Sequence, residues 1–372
     1  MAKELIKGNV AMAEAAIRAG LEAYFGYPIT PQTEVLEHLA KRMPELGRAF
    51  VQAESEVAAI NMVYGAACTG VRVMTSSSSP GVSLMQEGLS YIAGTEVPAV
   101  LINVMRGGPG LGNIAPAQSD YHQATRGGGH GDYHPIVLAP ASVQEAIDLT
   151  VLSFDLAEKY RNLAFVLADG SVGQMMEPAE LPEMRPVNRK DPEWAVRGNV
   201  GRPRRVLTSI YINPADEEIA NMRMLKTWYQ IKQNEVRYKD YYLDDAEYVV
   251  VGFGTAGRVA LSAVRKYRAK GIRIGLLRPI TVSPFPDEVL SQAAHRAKAV
   301  LVVEMSQGQM LDDVMIAVAG QAPVMFYGRP GGVVPFPEDV EKQIELMITN
   351  PPQKTLDPRK AWLERALLNG PK

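Results

Sequence analysis

The chain has 372 residues, of which 47% are hydrophobic and 22% charged, with a formal net charge of −2 and a pI near 6.3. That length suggests two or three domains of ordinary size, each able to bury its own core. The balance excludes an overall basic nucleic-acid footprint, and the absence of an apolar run of about 18 residues argues against a membrane span.

In chain order, Ala11 to Ala19 is a good helix former that ends at Gly20, and Ala23-Tyr-Phe-Gly-Tyr is a short apolar strand. Gln32 to Arg42 has helical spacing, Ala49-Phe-Val-Gln-Ala reads as a strand, Glu56 to Cys68 as a helix, and Val71-Arg-Val-Met-Thr as a strand. Val82 to Ile92 is helical, Ala99 to Val104 a nearly continuous apolar strand, Val143 to Tyr160 a helix and Ala164 to Ala168 another strand. Apolar strands between helices predict a parallel sheet covered on both faces, and hence an α/β domain over residues 1–184. Residues 185–245 begin with the polar, proline-rich Arg185-Pro-Val-Asn-Arg-Lys-Asp-Pro and continue into helical spacing from Asn221 to Tyr238. They are expected to form a linker with a helix. Residues 246–345 restart the alternation, with strands at Tyr248–Phe253, Ile272–Leu277 and Ala299–Glu304 and helices at Ala256–Lys270, Pro286–Arg296 and Leu311–Ala319. This is a second, smaller α/β domain, followed by a tail over 346–372. The N-terminal Met1-Ala-Lys-Glu-Leu-Ile-Lys lacks the apolar core of a signal peptide, so the expected location is the cytoplasm.

Several segments could carry chemistry. Gly26-Tyr-Pro-Ile-Thr-Pro follows a strand, where ligands of open parallel sheets bind. Thr30 is either a fixed hydroxyl for a carboxylate or carbonyl, or the N-cap of a helix with Pro31 at its first position. Glu54-Ser55-Glu56 opens a helix, where acidic residues favour the dipole. Small and apolar neighbours follow Glu56, and a desolvated carboxylate gains proton affinity, which suits a group sharing a proton with a bound heterocycle. Thr75-Ser-Ser-Ser-Ser-Pro-Gly is either a flexible loop or a polar cradle before a helix. Arg106 is the one cation of Met105-Arg-Gly-Gly-Pro-Gly-Leu-Gly-Asn and could hold a carboxylate through two hydrogen bonds, or be a surface arginine. The loop Arg126-Gly-Gly-Gly-His-Gly-Asp-Tyr-His places two histidines four apart, without the other ligands a metal site needs. Gly252-Phe-Gly-Thr-Ala-Gly257 matches a dinucleotide fingerprint, but the acidic residue expected about 20 positions later is missing, so a tight strand-to-helix turn explains it better. The single cysteine, Cys68, is expected to be buried and inert, and one thiol excludes an iron–sulfur cluster held by this chain alone. The cluster Arg202, Arg204 and Arg205 reads as a solvated loop.

Together, Gly26-Tyr-Pro-Ile-Thr-Pro, Glu54-Ser-Glu-Val-Ala-Ala-Ile-Asn-Met, Met74-Thr-Ser-Ser-Ser-Ser-Pro-Gly, Arg106-Gly-Gly-Pro-Gly, Gln118-Ser-Asp and Val302-Val-Glu-Met-Ser-Gln-Gly-Gln resemble the alpha subunit of 2-oxoacid:ferredoxin oxidoreductases. The likeness covers nearly the whole chain and is nearest to the branched-chain type, which acts on 2-oxoisovalerate; the 2-oxoglutarate type shares most of the motifs. The resemblance implies a pyrimidine-binding-type thiamine diphosphate domain over 1–184 and a transketolase-C-terminal-like domain over 246–345. It implies that Glu56 contacts N1′ of the thiamine aminopyrimidine as the catalytic carboxylate. Thr30 and Arg106 would contact the 2-oxoacid, and Tyr27, Pro28 and Ser78 the cofactor. It further implies CoA-dependent oxidative decarboxylation in a multi-chain complex, inactive as the isolated chain. A thiamine-diphosphate-binding beta subunit would hold Mg2+, with a gamma subunit and a ferredoxin-like delta subunit beside it. Partner subunits would carry [4Fe–4S] clusters, and an external ferredoxin would accept electrons. Nucleic acid and membrane are not expected partners. The partner's Gly-Asp-Gly motif with a later asparagine has no equivalent in Ala168-Asp-Gly-Ser. The alternatives are the same chemistry on 2-oxoglutarate, a non-catalytic structural subunit, and an NAD dehydrogenase using Gly252 to Gly257.

Overall fold

The computed structural model describes residues 3–187, 192–354 and 357–369. Residues 188–191 of the proline-rich stretch, and 355–356 and 370–372 of the tail, lie outside the described residues. The chain divides into two compact units, residues 1–105 with 123–235, and residues 106–122 with 236–372.

The first unit alternates strands and helices: β1 (Glu4–Lys7), α1 (Gly8–Arg18), β2 (Ala23–Gly26), α2 (Thr33–Glu45), β3 (Ala49–Gln52), α3 (Glu56–Cys68), β4 (Val73–Ser77), α4 (Ser79–Gly94) and β5 (Ala99–Met105). After the short α5 (Tyr121–Thr125) come β6 (Ile136–Leu138), α6 (Val143–Tyr160), β7 (Leu163–Asp169), α7 (Gly170–Gln174), β8 (Met176–Ala179) and α8 (Pro214–Asn234). The strands β6-β7-β5-β4-β2-β3 lie side by side and all run parallel. Strands β4, β5 and β7 are buried along their whole length, as the largely apolar runs of β5 and β7 require when helices cover both faces. A separate antiparallel pair, β1 with β8, sits by the cluster of Ala11, Ala15, Val143, Ile147, Ala179 and Leu181. Asp169, in the segment Ala168-Asp-Gly-Ser, is the N-cap of α7 and accepts from Val172 N at 3.2 Å.

The second unit contains β9 (Tyr238–Tyr241), β10 (Tyr248–Val251), α9 (Gly254–Ala269), β11 (Ile274–Pro279), β12 (Thr281–Ser283), α10 (Asp287–Arg296), β13 (Ala299–Glu304), α11 (Gln309–Val318), β14 (Val324–Gly328), α12 (Pro337–Thr349) and α13 (Pro358–Asn369). Its sheet has the order β14-β13-β10-β11-β9, parallel except for the antiparallel edge strand β9. The predicted helix to Tyr238 therefore stops at Asn234, and Tyr238-Lys-Asp-Tyr pairs with β11 instead.

The glycine fingerprint serves this turn. A Cβ at Gly257 would collide with the Gly252 carbonyl oxygen, one at Gly252 would lie 3.1 Å from Gly257 Cα, and Gly254 has φ +50°. The glycines let strand and helix backbones touch. Cys68 is half-buried rather than fully buried; burial pushes its thiol up, partly offset by a hydrogen bond with Tyr64, so it stays protonated. No helix among the described residues is long and apolar enough to cross a membrane.

Candidate functional site

Because β2 lies between β4 and β3 and all three run parallel, their carboxyl ends deliver three loops to one edge. They are Tyr27–Gln32 after β2, Ala53–Ser55 after β3, and Ser78 after β4.

The third loop leads into the helix that faces Glu56. Ser55 caps α3 by accepting from Ala58 N at 3.2 Å, which fixes Glu56 as the first helical residue. Glu56 is only 5% exposed, whereas Glu54 is exposed. The room for its carboxylate comes from Gly81 in the first turn of α4. A Cβ there would collide with Glu56 Oε1 and with Ser77 Oγ. Glu56, Ser77 and Gly81 thus share one notch. The start of α4 is fixed by Asn103 of β5, whose Oδ1 accepts from Ser79 N at 3.1 Å, and by Gly81 N donating to the Ser78 carbonyl at 2.7 Å. Next to this notch, the hydroxyl oxygens of Thr75, Ser77 and Ser78 are buried with no hydrogen-bond partner. Buried polar groups are almost always satisfied, so three orphaned hydroxyls on one run suit a polar ligand edge. The serine run is buried strand end and helix start rather than a flexible loop.

The loop after β2 is held rigid from below. Tyr24 and Ser76 hydroxyls hydrogen-bond at 2.7 Å, Ser76 donates to Gln32 Oε1 at 2.7 Å, and Gln32 Nε2 donates to the Tyr27 carbonyl at 3.4 Å. Asn9 Nδ2 and Gln174 Nε2 both donate to the Pro31 carbonyl, at 2.7 and 2.9 Å. Gly26 leaves space for the Tyr24 hydroxyl, where a Cβ would collide. Tyr27, Pro28 and Thr30 are left exposed on this framed loop. Thr30 is not the N-cap of α2: that helix starts at Thr33 and Gln32 precedes it. Of the framing residues, Ser76 belongs to the serine run, whereas Asn9, Gln32 and Gln174 carry no motif of their own. Only the polar Gln32 directly after Pro31 hints at them.

Arg106 directly follows β5 and belongs to the segment 106–122, which packs with the second unit. Its Nη2 donates to the Leu111 carbonyl at 3.0 Å. The loop closes on itself: Gly107 N donates to Ala115 O and Asn113 N to Gly107 O, both at 2.9 Å, and a Cβ at Gly112 would collide with Gly107 O. Its glycines are used by loop closure. Of the two histidines on the later glycine loop, His134 stacks on Trp228 of α8 at 4.8 Å, and burial lowers its affinity for a proton. His130 offers its backbone carbonyl to the Ser90 hydroxyl. Among the described residues no group of three or more His, Cys, Asp or Glu side chains is placed to hold a metal ion.

Residues 14–251 match the family model described as pyruvate flavodoxin/ferredoxin oxidoreductase, thiamine diP-bdg, and residues 246–340 match pyruvate:ferredoxin oxidoreductase core domain II. The chain is 51% identical over 332 residues to ketoisovalerate oxidoreductase subunit VorB of Methanothermobacter thermautotrophicus, covering 89% of this chain and 94% of that protein. It is 36% identical over 367 residues to 2-oxoglutarate synthase subunit KorA of Methanocaldococcus jannaschii, covering 92% of this chain and 100% of that protein. Among solved structures, 2-oxoglutarate:ferredoxin oxidoreductase from Magnetococcus marinus superimposes with a TM-score of 0.81 at 28% identity, over 93% of this chain and 65% of that one. A split-gene transketolase, an inactive beta4 tetramer, shares the fold at 13% identity and a TM-score of 0.57, over 92% of this chain and 98% of that one. With one family model covering most of its length and relatives this similar along nearly all of it, the chain belongs to the family of 2-oxoacid:ferredoxin oxidoreductase subunits.

Proposed function

We propose that this chain supplies the pyrimidine-facing half of a thiamine diphosphate site in a multi-chain oxidoreductase. The complex would convert 2-oxoisovalerate, CoA and oxidised ferredoxin to acyl-CoA, CO2 and reduced ferredoxin. The observation that carries the reading is the notch in which Glu56 is buried beside Gly81, next to the unpartnered hydroxyls of Thr75, Ser77 and Ser78. The branched-chain substrate is favoured because two relatives named for ketoisovalerate oxidoreductase subunit VorB are 51% identical, against 36–38% for the archaeal relatives named for 2-oxoglutarate.

When bound, thiamine diphosphate supplies the electron sink that decarboxylation requires. This chain supplies orientation and proton handling. Glu56 would face N1′ of the aminopyrimidine, and its burial keeps water away from that contact. The hydroxyls of Thr75, Ser77 and Ser78 can satisfy the polar edge of the ring, and Tyr27 and Pro28 offer it a rigid exposed wall. Thr30 and Arg106 would each contact the 2-oxoacid, a guanidinium being suited to a carboxylate. A beta subunit would hold diphosphate and Mg2+, gamma and ferredoxin-like delta subunits would complete the complex, and [4Fe–4S] clusters on partner subunits would pass electrons to external ferredoxin. The site of action would be the cytoplasm.

The test is purification of the native complex and a panel of 2-oxoacids with a viologen as acceptor. Thiamine-diphosphate- and CoA-dependent reduction, fastest with 2-oxoisovalerate, is expected. Reduction fastest with 2-oxoglutarate would overturn the substrate assignment, and no cofactor-dependent reduction with any 2-oxoacid would overturn the reading itself.

A further inference from the structure

Two motifs that the site has not used, Gln118-Ser-Asp and Val302-Val-Glu-Met-Ser-Gln-Gly-Gln, meet within the second unit. Gln118 is fully buried. Its backbone N donates to the Met305 carbonyl at 2.9 Å, its Oε1 accepts from Met305 N at 3.0 Å, and its Nε2 donates to the Phe253 carbonyl at 2.9 Å. Gln309 holds the same segment further along: its Nε2 donates to the Ser119 carbonyl at 2.5 Å and its Oε1 accepts from His122 N at 2.7 Å. Phe253 and Met305 lie just beyond the carboxyl ends of β10 and β13, which are parallel neighbours. The segment is thus fastened across the ends of two adjacent strands.

What is fastened there is the return arm of the Arg106 loop. Arg106 bridges Pro116 in antiparallel register and Gly107 N donates to Ala115 O, so the arm carrying Arg106 lies against the arm that leads into Gln118. The tip is tied separately. Asn113 Nδ2 donates to the Gly331 carbonyl at 2.9 Å, and its Oδ1 accepts from Ala115 N at 2.9 Å. Gly332 leaves room for this tie, because a Cβ there would collide with Ala115 Cβ and Asn113 Oδ1. Gly107, Gly108, Gly110 and Gly112 would leave an untied loop many conformations. A guanidinium pairs with a carboxylate in one fixed geometry, and a displacement of about 1 Å can cost about 10²-fold in rate.

We propose that Gln118 and Asn113 are positioning residues for the 2-oxoacid, and that the second unit takes part in substrate binding by holding the Arg106 loop at these two points. The inference rests on Arg106 contacting the 2-oxoacid. Gln118 fixes the arm that lies beside Arg106. Asn113 fixes the tip, where the Leu111 carbonyl accepts from Arg106 Nη2 at 3.0 Å. Each acts through Arg106, so each matters to the ligand that Arg106 binds and not to the others.

The test is steady-state kinetics of the complex co-purified with its partner subunits, with 2-oxoisovalerate, CoA and thiamine diphosphate varied in turn and a viologen as acceptor. Gln118→Met keeps the side-chain length and removes both polar atoms. Asn113→Asp keeps the acceptor for Ala115 N and loses the donor to Gly331. Gln118→Met should raise the Michaelis constant for 2-oxoisovalerate about tenfold and Asn113→Asp about threefold, as loss of two hydrogen bonds and of one would. The constants for CoA and thiamine diphosphate should not move. In an Arg106→Ala background neither variant should cost anything further. Asn113 is exposed, so its variant leaves the buried clamp intact and decides the matter should Gln118→Met not fold. Equal losses with all three ligands, or losses that add to that of Arg106→Ala, would show that these residues only hold the fold, and would overturn the proposal. Unchanged constants would overturn it too. If Arg106→Ala itself left the 2-oxoisovalerate constant unchanged, the contact between Arg106 and substrate would be what fails, and the proposal would fall with it.

Discussion

At Gly81 the side chain that is missing defines the site. Its hydrogen leaves the space shared by the Glu56 carboxylate and the Ser77 hydroxyl, and alanine would intrude on both. Gly81→Ala should therefore raise the Michaelis constant for thiamine diphosphate in the complex. Glu56→Gln should instead lower kcat by about 10²–10⁴-fold, the usual contribution of a positioned proton-transfer group. Steady-state kinetics with varied cofactor separate the two, and equal effects of both variants on both constants would remove the distinction. Glu304, at the end of β13, is fully buried and accepts from Met310 N at 3.0 Å, Leu311 N at 2.8 Å and the Ser306 hydroxyl at 2.8 Å. Desolvation outweighs these bonds and the nearby Arg359, and pushes its carboxyl from an ordinary value of 4.5 up to about 7. The folded state then binds more protons than the unfolded state between those values. Stability must fall as pH rises through that window, by about 1.4 kcal/mol per unit in its middle, and level off above it. Scanning fluorimetry of the full chain from pH 5 to 8 should show this fall, and Glu304→Gln should flatten it. An unchanged slope in the variant would assign the dependence to other groups.

Among the elements, α3 and α6 were readable to the residue because a serine caps each: Ser55 and Ser142 accept from the backbone three positions on. Ser55→Ala should cost about 1 kcal/mol by chemical denaturation, as N-cap removal does. It should also cost activity in the complex, because the cap sets where Glu56 begins the helix. Loss of stability with unchanged kcat would show that Glu56 is positioned by its packing against Gly81 instead. Other elements were not readable from local pattern. Tyr238-Lys-Asp-Tyr has no apolar alternation and becomes strand β9 through its pairing with β11. Ile136-Val-Leu is too short to show a period, and becomes a strand by joining β7. Thr30 with Pro31 imitates a helix cap, one of the two readings its sequence allows, yet α2 starts at Thr33. The chain there instead bends through a loop pinned by Asn9 and Gln174 on the Pro31 carbonyl and by Ser76 on Gln32, contacts between residues far apart in sequence.

For the whole molecule, the order of strands and helices gave both parallel sheets, since apolar runs between helices leave few alternatives. The assignment of Arg106–His122 to the second unit was invisible in sequence, because a glycine-rich turn after β5 reads equally well as a loop within the first domain. The motifs marked loops that the structure brings to one sheet edge, and gave little sign of the frame beneath them. What the molecule lacks leads to a final expectation. Its one cysteine cannot hold an iron–sulfur cluster, which usually needs four thiolates. The one segment that imitates a magnesium–diphosphate motif, Ala168-Asp-Gly-Ser, spends its carboxylate as the buried N-cap of α7. The purified chain should therefore show no cluster absorbance, no viologen reduction with any 2-oxoacid, and no tight Mg2+-dependent binding of thiamine diphosphate in a calorimeter. All three should appear together when the partner subunits are added. Asp169→Asn provides the internal control: as an amide it can still cap α7, so the complex should keep its cofactor affinity. If the chain alone bound thiamine diphosphate tightly with Mg2+, and Asp169→Asn abolished that binding, the diphosphate half of the site would lie in this chain and the division of the site between two polypeptides would be wrong.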